Sequence, residues 1–188
     1  PFTDNCKYTI KIRYLDPETK KHCTLHLFKN VENTAEIRKK VISGDLACCI
    51  LKLAYIADPF QIVVAANKAA INESCNRLIT KNKSTEILFY LSITKNISKS
   101  LTDFGASDND KNILVVTIHE AEERDTVSKM IVDNIKGERL ALEELKELTN
   151  LELAKRYYKI DNEELNVSTC TDSIISRIRE KIFDDRFV

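Results

Sequence analysis

Lys68, Arg77, Lys81 and Lys83 fall on, or just after, a single helical segment, and Ser84 and Thr85 follow directly. Cations beside hydroxyls and an amide such as Asn67 form a surface able to hold a few phosphates of a single strand. Contacts of that kind position a nucleic acid without reading its sequence. The same residues also have a plain reading, in which the lysines are solvated surface and Asn67 braces the fold. Lys20-Lys21 and Arg38-Lys39-Lys40 are shorter basic runs of the sort that usually mark a solvated face. The chain balances 29 basic against 29 acidic side chains, for a formal net charge of zero. That balance argues against a broad electrostatic grip on nucleic acid and leaves room for a local patch.

Catalytic chemistry finds less support. The three histidines are His22, His26 and His119. His119 ends an apolar run and precedes Glu120, Glu122 and Glu123, which makes it a candidate acid/base or metal site. A strand running into a solvated acidic loop fits those residues equally. The six cysteines, Cys6, Cys23, Cys48, Cys49, Cys75 and Cys170, contain no CxxC pair and no zinc-ligand spacing. They read as free thiols. A nucleophile needs an adjacent base, and no local pattern supplies one. The paired carboxylates Glu143-Glu144 and Asp184-Asp185 are ordinary helix-surface charges. Gly44, Gly105 and Gly137 are isolated, so no glycine-rich phosphate loop is present. The expectation is a non-catalytic chain with no cofactor and no metal.

The elements that must position these residues are legible in outline. At 188 residues, 43% of them hydrophobic, the chain suits one domain over 1–188. No apolar stretch approaches the roughly 18 residues needed to span a bilayer, and Pro1 to Lys11 is polar and mixed, unlike a secretory leader. Tyr8 to Tyr14 alternates and pairs as a hairpin with Cys23 to Phe28 across a turn at Asp16-Pro17-Glu18. Asn33 with Glu36 predicts a capped helix carrying Ile37, Val41 and Ile42 on its apolar side and stopped by Gly44. Leu46 to Tyr55 is apolar and fits no single type. Asp58 as N-cap and Pro59 at the first helical position predict a helix from Pro59 to about Leu78. Phe60, Val63, Val64, Ala70 and Ile71 lie on one side of it, and Ala65, Ala66 and Ala69 allow close approach. Periodicity does not separate buried strand from buried helix at Ile87 to Leu91, and the expectation taken is a helix capped at Ser84 or Thr85; Ile97 to Phe104 reads as a short helix stopped by Gly105. Asn109 to Asn112 is a turn before Ile113 to Ile118, a β-branched run suited to a central strand. Helices follow at Thr126 to Ile135, Leu140 to Leu148, Leu151 to Tyr158 and Thr171 to Phe183. Together these make an α/β (α+β) domain: a small mixed or antiparallel sheet packed against helices, with a helical C-terminal part.

Four ordered segments carry a specific resemblance. Asp58-Pro59-Phe60-Gln61-Ile62-Val63-Val64-Ala65-Ala66-Asn67-Lys68-Ala69 resembles the signature helix of the PRPK-binding protein family, the small kinase-binding subunit of the KEOPS, or EKC, complex. Lys83-Ser84-Thr85-Glu86-Ile87-Leu88-Phe89-Tyr90-Leu91-Ser92 matches next, then Asn96-Ile97-Ser98 to Phe104-Gly105, then Ile113 to Ile118. Order and spacing hold over roughly residues 23 to 183. The stretches Pro17 to His22, Asp45 to Tyr55 and Glu120 to Asp125 depart from the pattern.

The resemblance implies a compact α/β domain with no catalytic residues that binds the amino-terminal lobe of PRPK, an atypical kinase acting as an ATPase. Through that kinase it would join the threonylcarbamoyl-transferase subunit that modifies an adenosine beside the tRNA anticodon. It also implies help in recruiting tRNA by its single-stranded 3′ CCA end, and a place in nucleus and cytoplasm. Two surfaces follow as expectations: RNA contact by Asn67, Lys68, Arg77, Lys83 and Thr85, and kinase docking by Tyr158, Ile174, Ile175 and Ile178. Core packing explains the docking set equally well. The competing reading is an interaction adaptor that regulates a kinase without touching RNA.

Overall fold

Alternation in the β-branched and aliphatic runs builds a sheet with two covered faces. A computed structural model describes residues 10–12 and 17–184. Strand β1 (Ile10–Ile12) pairs antiparallel with β2 (His22–Lys29), with Ile10 opposite Leu25. The rest of the Tyr8 to Tyr14 run lies outside the described residues. Strand β2 pairs with β4 (Ile113–His119) from His22 opposite His119 to Phe28 opposite Ile113. Strand β3 (Cys49–Lys52) lines the far side of β4, giving the order β1-β2-β4-β3. It lies in the Leu46 to Tyr55 stretch that fits no single type by sequence. A short β5 (Glu138–Leu140) also pairs with β2, through Leu27 opposite Leu140. All these pairings are antiparallel.

The period of two sends odd and even positions of β2 to different cores. Cys23, Leu25 and Leu27 join Leu114, Val116 and Ile118 in the larger core. That core is closed by α2 (Pro59–Ser74), α3 (Lys83–Leu91), α4 (Ile97–Phe104), α7 (Leu151–Tyr158) and α8 (Cys170–Asp184). Phe28, Ile50, Ile113 and Val115 face the other way, under α1 (Thr34–Ser43) and α5 (Arg124–Asn134). With both faces covered, every residue of β4 is buried, as its unbroken apolar run implies. A brief α6 (Leu145–Leu148) completes eight α-helices among the described residues, and the fold is α+β.

Several local expectations need correction. Leu140 to Leu148 is not one helix. Leu140 is drawn into the sheet, Ala141 is extended, and only a 3-10 turn at Leu142–Glu144 and then α6 follow. Long-range pairing has overridden local helix propensity. Asn33 precedes α1 but makes no side-chain cap. Its amide instead donates to the Asn134 carbonyl at 2.9 Å and accepts from the Lys136 amide at 3.0 Å, tying α1 to the end of α5. Ile37 is fully buried, whereas Ile42, placed on the same apolar side, is exposed. On α2 the buried face is Ile62, Ala65, Ala66, Ala69 and Ala70, while Phe60 is 53% exposed. The small alanines let α3 and α8 approach closely, and Phe60 turns outward.

Candidate functional site

The helical hairpin of α2 and α3, with its loop at 75–82, carries most of the cations singled out by sequence. Asp58 caps α2 with its carboxylate accepting from the Phe60 amide at 2.8 Å. Gln61 reaches back, accepting from the Ala57 amide at 2.9 Å and donating to the Tyr55 carbonyl at 3.1 Å. This start is structural, as the capping chemistry predicts.

The helix ends one turn earlier than expected. Asn76 takes a left-handed conformation with φ of 53°, which Asn tolerates better than most residues. The Arg77 amide donates to the Asn72 carbonyl at 2.8 Å and the Asn76 amide to that of Glu73 at 3.1 Å. This pair of reversed bonds is the Schellman stop. Asn76 was the available signal in the sequence, and the helical pattern running on to Leu78 concealed it.

The cap of α3 is Asn82, not Ser84 or Thr85. Its side-chain oxygen accepts from the Thr85 amide at 2.9 Å, and Thr85 Oγ1 accepts from the Asn82 amide at 3.2 Å. Thr85 is thus the reciprocal partner three residues in. Its hydroxyl also donates to Thr80 Oγ1 at 2.9 Å, so the fold uses the group that the sequence offered to RNA.

The remaining candidate RNA contacts divide by position. Lys83 is partly buried and paired with Glu73 at 3.2 Å. Nearby, Lys21 pairs with Glu120 at 2.5 Å. The hydrogen bond from Lys21, with a smaller attraction from Lys83, holds the Glu120 carboxyl below its ordinary range. This corner is charge-balanced rather than cationic. Arg77 and Lys81 are exposed, and among the described residues neither has an ion pair. Lys68 lies 5.9 Å from the Tyr90 ring centroid, on the α3 side of α2. Asn67 is rotated about 100° from it, and seven residues separate Asn67 from Ser74, a rise of about 10 Å. Asn67 Oδ1 is buried without a hydrogen-bond partner. Asn67 and Lys68 therefore stand well up the helix from the loop that holds Arg77, Lys83 and Thr85.

Sequence reasoning missed Asn72 and Glu86. Glu86 is 0% exposed, and each carboxylate oxygen accepts two hydrogen bonds. One takes the Asn72 amide at 2.9 Å and the Ile79 backbone amide at 3.2 Å. The other takes the Thr80 amide at 2.8 Å and the Thr80 hydroxyl at 2.7 Å. Asn72 also donates to the Tyr90 hydroxyl at 3.0 Å. The only sequence signal was a Glu one turn before Phe89 and Tyr90, on the apolar side of its helix.

The docking set lies mainly in the core. Ile174 and Ile178 are 0% exposed and Tyr158 is 1% exposed. The Tyr158 hydroxyl donates to the Leu91 carbonyl at 2.6 Å and accepts from Gln61 at 3.4 Å. Burial drives its pKa well up, with a smaller push from Tyr157. These three side chains close α7 and α8 onto α2 and α3, and in this conformation they offer no surface to a partner. Ile175 alone of the four is partly exposed.

The histidine candidate, His119, is also internal. His119 is buried, with Nε2 2.7 Å from Thr24 Oγ1 and Nδ1 2.7 Å from the Glu120 carbonyl oxygen. Both ring nitrogens are therefore engaged within the fold. Cys23, Cys48 and Cys49 are buried free thiols, and desolvation pushes those of Cys23 and Cys48 up to about 12. Cys6 lies outside the described residues. Among the described residues no group of three or more His, Cys, Asp or Glu side chains is placed to hold a metal, and no helix is long and apolar enough to cross a membrane.

Fold and side-chain placement thus define an α+β domain whose most distinctive surface is a polar helical hairpin. The chain belongs to the CGI-121 kinase-binding protein family: the family model described as "Kinase binding protein CGI-121" matches residues 28–181. It is 32% identical to the EKC/KEOPS complex subunit TPRKB of Danio rerio, over 82% of this chain and 88% of that protein. It is 26% identical to the EKC/KEOPS complex subunit CGI121 of Yarrowia lipolytica, over 77% of this chain and 83% of the relative. A third relative, the CGI121 subunit of Eremothecium gossypii, is 27% identical over 77% of this chain and 82% of its own length.

Proposed function

We propose that the chain is a non-catalytic subunit of a KEOPS/EKC complex, which binds the PRPK-like kinase and helps recruit tRNA by its 3′ CCA end. The observation that carries the complex is the family match across residues 28–181 together with relatives named as EKC/KEOPS subunits. The kinase links it to the threonylcarbamoyl-transferase subunit, and the tRNA it helps hold is modified beside the anticodon. The RNA part of the reading is supported by Arg77 and Lys81 on the hairpin loop, by Lys68 beside Tyr90, and by the unpartnered, buried Asn67 Oδ1. An acceptor left without a donor in a folded chain is uncommon and invites a ligand group.

A second reading, a kinase-regulating adaptor with no RNA contact, draws on the pairing of Lys83 with Glu73 and the commitment of Thr85 to the helix cap. Co-purification separates the two. Wild-type protein and the Lys68→Glu, Arg77→Glu variant are each mixed with kinase and tRNA. The proposed function expects the variant to keep the kinase and lose the tRNA, with wild-type binding that weakens as salt rises. Equal tRNA recovery by both proteins at low and moderate salt would leave the adaptor reading standing.

A further inference from the structure

We propose that Glu86 is the positioning residue of the RNA-contacting loop: its buried carboxylate fixes residues 75–82 in the shape from which Arg77 and Lys81 meet the phosphates of a single strand. The proposal rests on the RNA reading above and names the residue through which that surface is built.

The loop lies between a Schellman stop on α2 and an Asn82 cap on α3. Those two devices fix its ends and leave the amides of Ile79 and Thr80 to be satisfied. Glu86 satisfies both at 3.2 and 2.8 Å, and takes the Thr80 hydroxyl as well at 2.7 Å. Asn72 closes the arrangement from the α2 side by donating to Glu86 and to the Tyr90 hydroxyl. A relay from the Thr85 hydroxyl to Thr80 Oγ1 and on to Glu86 joins the loop to the cap of α3. Four donors converge on the two oxygens.

Two consequences follow for a bound strand. Consecutive backbone amides commonly make anion sites, but here an internal carboxylate already fills them. Phosphate contact is thereby left to side chains, and Arg77 and Lys81 are exposed with no ion pair among the described residues. The loop is also ordered before the strand arrives, so binding does not have to bear the entropy of fixing it.

Replacing Glu86 by Gln keeps the shape and turns an NH₂ group toward donors that need acceptors. The test uses the full chain and two probes: a fluorescently labelled single-stranded RNA ending in CCA, and whole tRNA. Glu86→Gln is expected to bind both about tenfold more weakly, with faster amide exchange at Ile79 and Thr80. The salt dependence should stay that of the parent, because both cations remain. Arg77→Gln with Lys81→Gln should do the reverse, lowering the salt slope by about 1.4 with amide exchange unchanged.

A stability control is Ile131→Val, in the core on the other side of the sheet. It should lower the thermal midpoint and leave RNA binding alone, so lost stability is not mistaken for lost positioning. If Glu86→Gln does not fold, Thr80→Ala removes one of the four donors at a partly exposed position and should weaken binding about threefold. A folded Glu86→Gln or Thr80→Ala with parental affinity overturns the proposal, even where the Arg77, Lys81 variant has lost RNA. An Arg77, Lys81 variant with parental affinity and salt slope instead removes the RNA reading, and this proposal with it.

Discussion

Lowering the pH should destabilise this protein well before its carboxylates protonate, and His26 is the cause. The ring is fully buried on β2, with Nδ1 3.1 Å from the Arg139 guanidinium. That nitrogen accepts, so the ring proton sits on Nε2 and the imidazole is neutral. A second proton on Nδ1 would face a cation in a dry site. Burial first, then Arg139 and His119, bring the pKa down from 6.5 to about 3. Between those values the unfolded chain holds a proton that the folded chain does not. The contribution is complete above 6.5 and is lost as pH falls toward 3, with a slope near 1.4 kcal/mol per pH unit at its steepest. From about pH 7.5 to about pH 4.5 this integrates to roughly 2.5 kcal/mol. Carboxylates held low by lysine or arginine partners, Glu36, Glu120 and Glu164, add their losses only at lower pH. Urea denaturation at the two pH values should show the midpoint dropping by about 1 M. His26→Gln, which keeps an acceptor for Arg139, should flatten the profile. A wild-type midpoint unchanged across the range, or a His26 ring resonance titrating near 6, would refute the reasoning.

Two further outcomes are expected. Lys181 is a buried ammonium that donates to the carbonyls of Phe89, of Ser92 at 3.1 Å and of Thr94 at 2.7 Å. Lys181→Met should cost about 3 kcal/mol and lower the thermal midpoint by roughly 9 °C; a loss under about 1 kcal/mol would mean water replaces the ammonium without penalty. Among the described cysteines, timed thiol labelling should modify Cys75 first and Cys170 more slowly, and should reach Cys23, Cys48 and Cys49 only on unfolding, because the last three are buried. Rapid labelling of Cys48 in folded protein would contradict the packing under α1.

Local chemistry made some elements legible and tertiary pairing hid others. Asp58 and Pro59 announce the start of α2 because a cap acts within one turn, and Ile113 to Ile118 reads as a central strand because both its faces are covered. Leu140 was misread because its partner, Leu27, is far away in sequence. Three of the four docking candidates lie in the core for a related reason. An apolar stripe on a helix looks the same whether it meets the chain's own core or another protein, and α8 spends its stripe at home. For the RNA set, the sequence shows charge type, but whether a lysine such as Lys83 is already paired depends on a fold that brings Glu73 beside it.

The polar residues on otherwise apolar faces carry more than the stripes do. Glu86 and Lys181 are both buried, and both act on α3. Glu86 gathers amides of the loop that enters the helix, and Lys181 gathers carbonyls at and just beyond its last turn. Each charge has the sign that the adjacent helix end favours, negative at the amide end and positive at the carbonyl end. Helix α3 is thus clamped at both termini by groups from its own first turn and from α8, with Tyr158 holding the Leu91 carbonyl between them. A loop hung on a helix fixed in this way cannot shift without breaking a buried ionic contact. This is the physical reason to expect that 75–82 holds its shape with or without a bound strand.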